Sequence, residues 1–215
     1  MTVAEIALHA LTGVVLAGGQ GRRMGGIDKG LVDFAGAPLV THAVGCLRPH
    51  VSEVLINANR HLERYAQLSD RVVSDRMLEN GQESYQGPLM GIYSGLCAAT
   101  TEWVVFVPCD SPALPKGLVP RMVAGLAQKV TDGEKVDIAY AFDGERMHPV
   151  VAIIRRELRH DLRRALEQGD RKILRWYEQH AWCQVDMSDC PAAFANLNTE
   201  EERLALEAAV TGAQP

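Results

Sequence analysis

A chain of 215 residues with 47% hydrophobic content is long enough to bury a full core as one domain. Its net charge of −5 argues against a nucleic-acid or membrane-surface protein, and no apolar run approaches the roughly eighteen residues needed to cross a bilayer. Its 5 cysteines (Cys46, Cys97, Cys109, Cys183 and Cys190) are spread out and contain no C-x-x-C pair, which predicts reduced, mostly buried thiols and no zinc site.

The stretch Ile6 to Ala17 is fairly apolar, but no Lys or Arg precedes it, and Glu5 and His9 interrupt it. A cleaved leader is therefore not expected, and a cytoplasmic location is. Val14 to Ala17 (VVLA) reads as a buried parallel strand that empties into a glycine loop. Leu31 to Phe34 predicts a short strand turned by Ala35-Gly36-Ala37-Pro38, and a helix follows from about Pro38 to Leu47. Val51 to Ala58 predicts a strand, His61–Leu68 a short helix and Arg71–Ser74 a strand. Asp75 to Gly87 is polar, lacks periodicity and reads as a mobile loop, after which Leu89, Ile92, Tyr93, Leu96 and Ala99 fall at helical spacing.

Trp103 to Val107 (WVVFV) predicts the central strand, ending in Pro108-Cys109-Asp110-Ser111-Pro112. A helix is expected over about 115–128, a strand over Val136–Phe142, a hairpin turn at Asp143-Gly144 and a return strand over Pro149–Ile154. Leu158, Leu162, Ala165 and Leu166 mark an amphipathic helix closed by Gly169. A further helix over about 172–180 and a strand near Cys183–Met187 come next. Thr199 with Glu202 predicts a capping box that opens a last helix. Alternating strands and helices give an α/β fold, a three-layer Rossmann-like, mostly parallel sheet with helices on both faces. No repeat, low-complexity tract or linker divides the chain. One domain over 1–215 is expected.

The stretch Val14 to Gly30 reads VVLAGGQGRRMGGIDKG. Five glycines in its loop let the backbone approach a ligand and present several N–H donors. Arg22, Arg23 and Lys29 add the charge that phosphates require, so the segment reads as a cradle for a nucleoside triphosphate. Gly21 and Gly26 have Walker-loop spacing, but Ile27 and Asp28 follow where Lys and Ser or Thr belong. Gly19 and Gly21 begin a dinucleotide fingerprint, but Met24 replaces its third glycine.

At Leu16-Ala17-Gly18-Gly19 and Arg23-Met24-Gly25-Gly26-Ile27-Asp28-Lys29-Gly30 the sequence resembles the molybdenum cofactor guanylyltransferases, the MobA family of the nucleotidyltransferase superfamily. The resemblance implies a nucleotidyltransferase fold, with a nucleotide-binding half at about 13–112 and an acceptor-binding half at about 113–215, and transfer of GMP from GTP to molybdopterin with release of pyrophosphate. It implies Arg23 and Lys29 as the catalytic phosphate-binding pair. Leu16, Ala17, Gly18, Gly19, Asn57 and Asp75 would join Lys29 and Asp110 in the nucleotide site. Cys109-Asp110-Ser111-Pro112 matches the family's metal-binding aspartate motif, which implies Mg²⁺ at Asp110. An aspartate directly after a buried strand suits that ion, which takes one or two carboxylates plus phosphate and water oxygens. Asn196-Leu197-Asn198-Thr199 is similar to an N-x-N-T segment of the family, making Asn196 and Asn198 polar acceptor contacts and Asn198 a candidate second metal ligand, although helix capping explains Asn198 or Thr199 as well. Gly87-Pro88-Leu89-Met90-Gly91 resembles the family's loop-to-helix entry, and Met77–Gln86 is longer than its usual spacer.

Asp28 is expected to organise the loop, because a carboxylate aimed at a triphosphate repels it. The eight basic residues Arg155, Arg156, Arg159, Arg163, Arg164, Arg171, Lys172 and Arg175 ordinarily read as a solvated helix face. In an otherwise acidic chain some of them, Arg171 and Lys172 first, with Arg146 and His148, are candidates to receive the anionic pterin. Other expected partners are transient ones, namely cofactor-biosynthesis proteins and molybdoenzymes, with the chain itself a monomer that binds no nucleic acid or membrane. Two alternatives stand: a cytidylyltransferase acting on molybdopterin or another small phosphate, and a non-catalytic nucleotide sensor.

Overall fold

The computed structural model describes residues 11–19, 27–77, 87–197 and 199–211. Its core is a seven-stranded sheet built from β1 (Leu11–Leu16), β4 (Glu53–Asn57), β5 (Arg71–Val73), β6 (Trp103–Pro108), β7 (Ile138–Phe142), β8 (Met147–Arg155) and β9 (Trp182–Asp186). In space the order is β5-β4-β1-β6-β8-β7-β9. β8 is antiparallel to both neighbours, and the other pairings are parallel.

Successive side chains of a strand point to opposite faces, and here both faces are apolar. Val15, Val54, Ile56, Val105, Val107 and Ile153 go to one side, against the first helical layer. That layer is α1 (Leu39–Leu47), the short α2 (Leu62–Ala66) and α4 (Leu118–Thr131). Val14, Leu55, Val104, Phe106, Tyr140 and Ile154 go to the other side, against α3 (Pro88–Ala98), α5 (Arg159–Glu167) and α6 (Ile173–Tyr177). Three layers result, as the alternation of strands and helices predicts.

The strands β2 (Asp33–Phe34) and β3 (Ala37–Pro38) form a small hairpin beside the sheet. Here the sequence expectation needs correcting. Residues 29–31 make a 3₁₀ turn, the strand is confined to Asp33–Phe34, and Ala37–Pro38 is its partner strand as well as part of the turn. α4 begins at Leu118 rather than 115, because Pro115 opens a turn closed by the Leu118 N–H, and it runs on to Thr131. α6 stops at Tyr177, short of the expected 180. The last helix, α7 (Glu200–Thr211), opens with the predicted box: Glu202 N–H donates to Thr199 Oγ1 at 3.1 Å, and Thr199 N–H donates to Glu202 Oε2 at 3.0 Å. Cys46, Cys97, Cys109, Cys183 and Cys190 are all free thiols. No helix among the described residues is long and apolar enough to cross a membrane.

Candidate active site at the carboxyl edge of the sheet

From β1 the chain goes outward through α1 to β4 and β5, then crosses back to β6 on the other flank of β1. The order of strands reverses there, and open α/β sheets bind ligands in the crevice at such a point, beyond the carboxyl ends of the strands. Leu16–Gly19, Asn57, Asp75 and Asp110 all follow or end strands on this edge. Backbone bonds stitch the edge together: Ala17 N–H donates to Asn57 O at 2.8 Å, and Cys109 N–H to Leu16 O at 3.1 Å.

Lys29 and Asp110 meet at the reversal. Lys29 Nζ lies 3.2 Å from Asp110 Oδ2, with side chains 23% and 20% exposed, so both remain within reach of a ligand. Asp28 does not share this position. It is buried, and its Oδ1 accepts a hydrogen bond from the hydroxyl of Tyr65 on α2. Burial and the neighbouring carboxylate push the Tyr65 phenol well above its usual range. Cys109, beside Asp110, is raised likewise by burial and is a poor nucleophile there.

A second group forms between β4 and β5. Asn57 is 2% exposed and donates from Nδ2 to Val73 O (3.1 Å) and Asp75 Oδ1 (3.0 Å). Asn59 donates to Asp75 Oδ2 at 2.8 Å and accepts from the Asp75 N–H at 2.8 Å. Each carboxylate oxygen of Asp75 thus has its own amide donor. Burial raises the Asp75 pKa, and the two amides oppose that shift by favouring the ionised form. The backbone comes close here: a Cβ on Gly18 would sit 3.1 Å from both Asn57 Oδ1 and Asn59 Nδ2, and one on Gly91 would sit 2.5 Å from Asn57 Oδ1.

The third group lies across Asp110 from the glycines. Ser111 Oγ donates to Asn196 Oδ1 at 2.7 Å, and Leu197 N–H donates to Asp110 O at 2.9 Å. Nearby, Phe194 stacks on His148 with ring centroids 4.5 Å apart, and His148 Nε2 lies 2.7 Å from Asp143 Oδ2. Asp143 also accepts the Arg146 and Glu145 N–H groups, and these bonds, His148 first, lower its pKa to about 2. Arg146 itself is exposed on the hairpin.

Arg171 and Lys172 line a cleft of about 340 Å³ between α5 and α6 together with Gly169, Asp170, Arg175 and Gln179, and its lining includes none of the residues of the three groups above. Arg171 donates to the carbonyls of Leu166 and Asp170. Others of the basic run are engaged within the fold. Arg155 lies over the Trp103 ring and pairs with Glu102 and Asp137, Arg163 with Glu167, and Arg164 with Asp161. Arg23, Asn198 and most of the 77–86 stretch lie outside the described residues. Asn59 and Tyr65 are absent from the sequence reading. Asn59 had a signal, since it lies two residues beyond Asn57 and extended backbone returns side chains to one face with that period. Tyr65 had none.

Among the described residues no cluster of three or more His, Cys, Asp and Glu could hold a metal. Asp110 alone still suits Mg²⁺, which needs one or two carboxylates when phosphate and water oxygens complete its shell.

A strand-order reversal topped by a Lys–Asp pair on a mostly parallel sheet defines a doubly wound α/β fold with a ligand crevice at that point. The fold matches that of molybdopterin-guanine dinucleotide biosynthesis protein A from Archaeoglobus fulgidus, with a TM-score of 0.71 at 20% identity over 94% of this chain and 99% of that one. A nucleotidyl transferase from Methanothermobacter thermautotroptrophicus matches with a TM-score of 0.69 at 17% identity over 95% and 99% of the two chains. Residues 13–182 match the MobA-like NTP transferase domain. A molybdenum cofactor guanylyltransferase from Photobacterium profundum is 46% identical over 88% of this chain and 91% of its own length. Another from Shewanella sediminis is 42% identical over 92% and 95%. The chain belongs to the MobA-like NTP transferase family and is a nucleotidyltransferase.

Proposed function

We propose that this enzyme transfers GMP from GTP to molybdopterin, forming the guanine dinucleotide cofactor and releasing pyrophosphate. The observation that carries the reading is the Lys29–Asp110 pair at the strand-order reversal, in a chain whose relatives are named molybdenum cofactor guanylyltransferase over nearly their full length. A phosphate oxygen of the acceptor attacks the α-phosphorus of GTP, a new P–O bond forms, and the bond to pyrophosphate breaks. Such a displacement asks the protein mainly to position the partners and neutralise charge.

Lys29, joined by Arg23, neutralises the triphosphate. Asp110 would hold Mg²⁺, and the ion would supply positive charge against the leaving pyrophosphate. The ammonium and the carboxylate balance one another, and a bound triphosphate and its metal ion would each offer one of them a partner of opposite charge. Gly18 lets the nucleoside lie close to the Asn57–Asp75 group, where Asp75 offers an anionic acceptor to base or ribose donors. Asn196 and Asn198 are the polar contacts assigned to the acceptor, with His148 and Arg146 beside them in that role. Arg171 and Lys172 attract its phosphate and dithiolene charges.

The test is purified protein with molybdopterin, Mg²⁺ and either GTP or CTP, read as pyrophosphate release. Release with GTP, dependent on both Mg²⁺ and acceptor, is expected. Release with CTP in place of GTP would transfer the enzyme to a cytidine donor, and none with either would leave a nucleotide sensor.

A further inference from the structure

Lys29 has a long flexible side chain, and holding its ammonium at one place costs up to about 2 kcal/mol of rotamer freedom. Its neighbours limit that freedom from the backbone side. Asp28 before it is buried and accepts the Tyr65 hydroxyl. Gly30 after it is buried too, and a Cβ there would overlap the same hydroxyl. The 3₁₀ turn over 29–31 is closed by Leu31 N–H to Asp28 O and Val32 N–H to Lys29 O, both 3.1 Å. Tyr65 is fully buried on α2. An apolar pair of similar volume would fill this space at no desolvation cost, so the polar contact is better explained by the geometry it fixes than by stability.

We propose that Tyr65 is a positioning residue for Lys29: its hydroxyl moors Asp28, and its ring and oxygen seat Gly30, so that the lysine between them is presented to the triphosphate. The mooring also turns the Asp28 carboxylate inward, away from the phosphates. This inference rests on the reading of Lys29 as a phosphate-binding group. In that reading Tyr65 touches no substrate and acts only through the lysine.

A double-mutant cycle on the full chain tests it, with calorimetric binding of GTP in the presence of Mg²⁺ as the readout. Tyr65→Phe is expected to weaken GTP binding about tenfold in the native background, the scale of one lost hydrogen bond, and by less than about twofold once Lys29→Ala is present. Equal weakening in both backgrounds means that Tyr65 serves the fold generally, and no weakening in the native background means that the mooring is idle; either overturns the proposal. Lys29→Ala alone separates the two layers of inference. If it leaves binding unchanged, the phosphate reading of Lys29 falls and the mooring with it. If it weakens binding while Tyr65→Phe does not, the mooring alone falls. Asp28→Asn, which keeps an acceptor oxygen for the phenol, is expected to retain native affinity, and Asp28→Ala to match Tyr65→Phe. Asp28→Asn losing as much as Asp28→Ala would also refute the mooring.

Discussion

Lys29→Ala is expected to lower turnover by about 10²–10³, the usual scale for removing one preorganised group aimed at transition-state charge. A variant that keeps more than half its pyrophosphate release would remove Lys29 from the site. Asp110→Asn should abolish the dependence of release on Mg²⁺ concentration, and chelating the metal should silence the native enzyme to the same level. Asp143 makes a different kind of prediction. Its pKa falls from 3.8 to about 2 in the fold, chiefly through His148. A depressed carboxylate contributes stability that is complete above the unfolded value and disappears as pH falls through the folded one. Urea midpoints measured between pH 3.8 and about 2 should therefore drop more steeply for the native chain than for Asp143→Asn. Of these residues, Asp110 was legible because a carboxylate directly after a buried strand must stand at the sheet edge. Lys29 was legible because glycines and cations share its loop. The Tyr65 contact was not, since it depends on which elements come to lie side by side, and for Asn59 only its two-residue spacing from Asn57 was visible, not its partner.

At the scale of elements, α3 shows how closely a helix approaches the sheet. A Cβ added at Gly95 would lie 2.7 Å from the Phe106 ring and 3.1 Å from Val14. Gly95→Ala should cost about 1–3 kcal/mol through overpacking, read from chemical denaturation. α7 makes a gentler contact with the β2–β3 hairpin. Arg203 on this helix donates to Asp33 O at 3.2 Å and pairs with Glu207, which accepts the Ala35 N–H at 2.8 Å. The bonds that reach the hairpin are exposed, so Arg203→Ala should shift the unfolding midpoint less than Gly95→Ala by the same measurement. The capping box that starts α7 was visible as Thr199 and Glu202, because its two bonds join residues three apart. The clasp was invisible, because its partners are some 170 positions apart.

Across the whole molecule, the two halves of the chain share one edge. Leu197 N–H reaches Asp110 O, and Asn196 reaches Ser111, so the late segment borders the carboxylate at the centre of the sheet. The Arg171 and Lys172 cleft is lined by none of these residues. Reversing both charges should raise the concentration of molybdopterin needed for half-maximal pyrophosphate release while GTP affinity stays as in the native chain. Weakened GTP binding alone would show that this cleft serves the nucleotide instead.

The succession of strands and helices, both apolar faces of the sheet and the hairpin at Asp143-Gly144 follow from local pattern, because side-chain period and turn chemistry act over a few residues. The family signature was equally local, being contiguous around the glycine loop. Sheet order was not local: β8 lies between β6 and β7 with β9 beyond, and residues far apart in the chain pair there. On the other side of the sheet, the order β5-β4-β1-β6 brings Lys29 to Asp110, Asn59 to Asp75 and Tyr65 to Asp28. Contacts of this kind form when whole layers bury their apolar faces together, and no short stretch of sequence encodes them by itself.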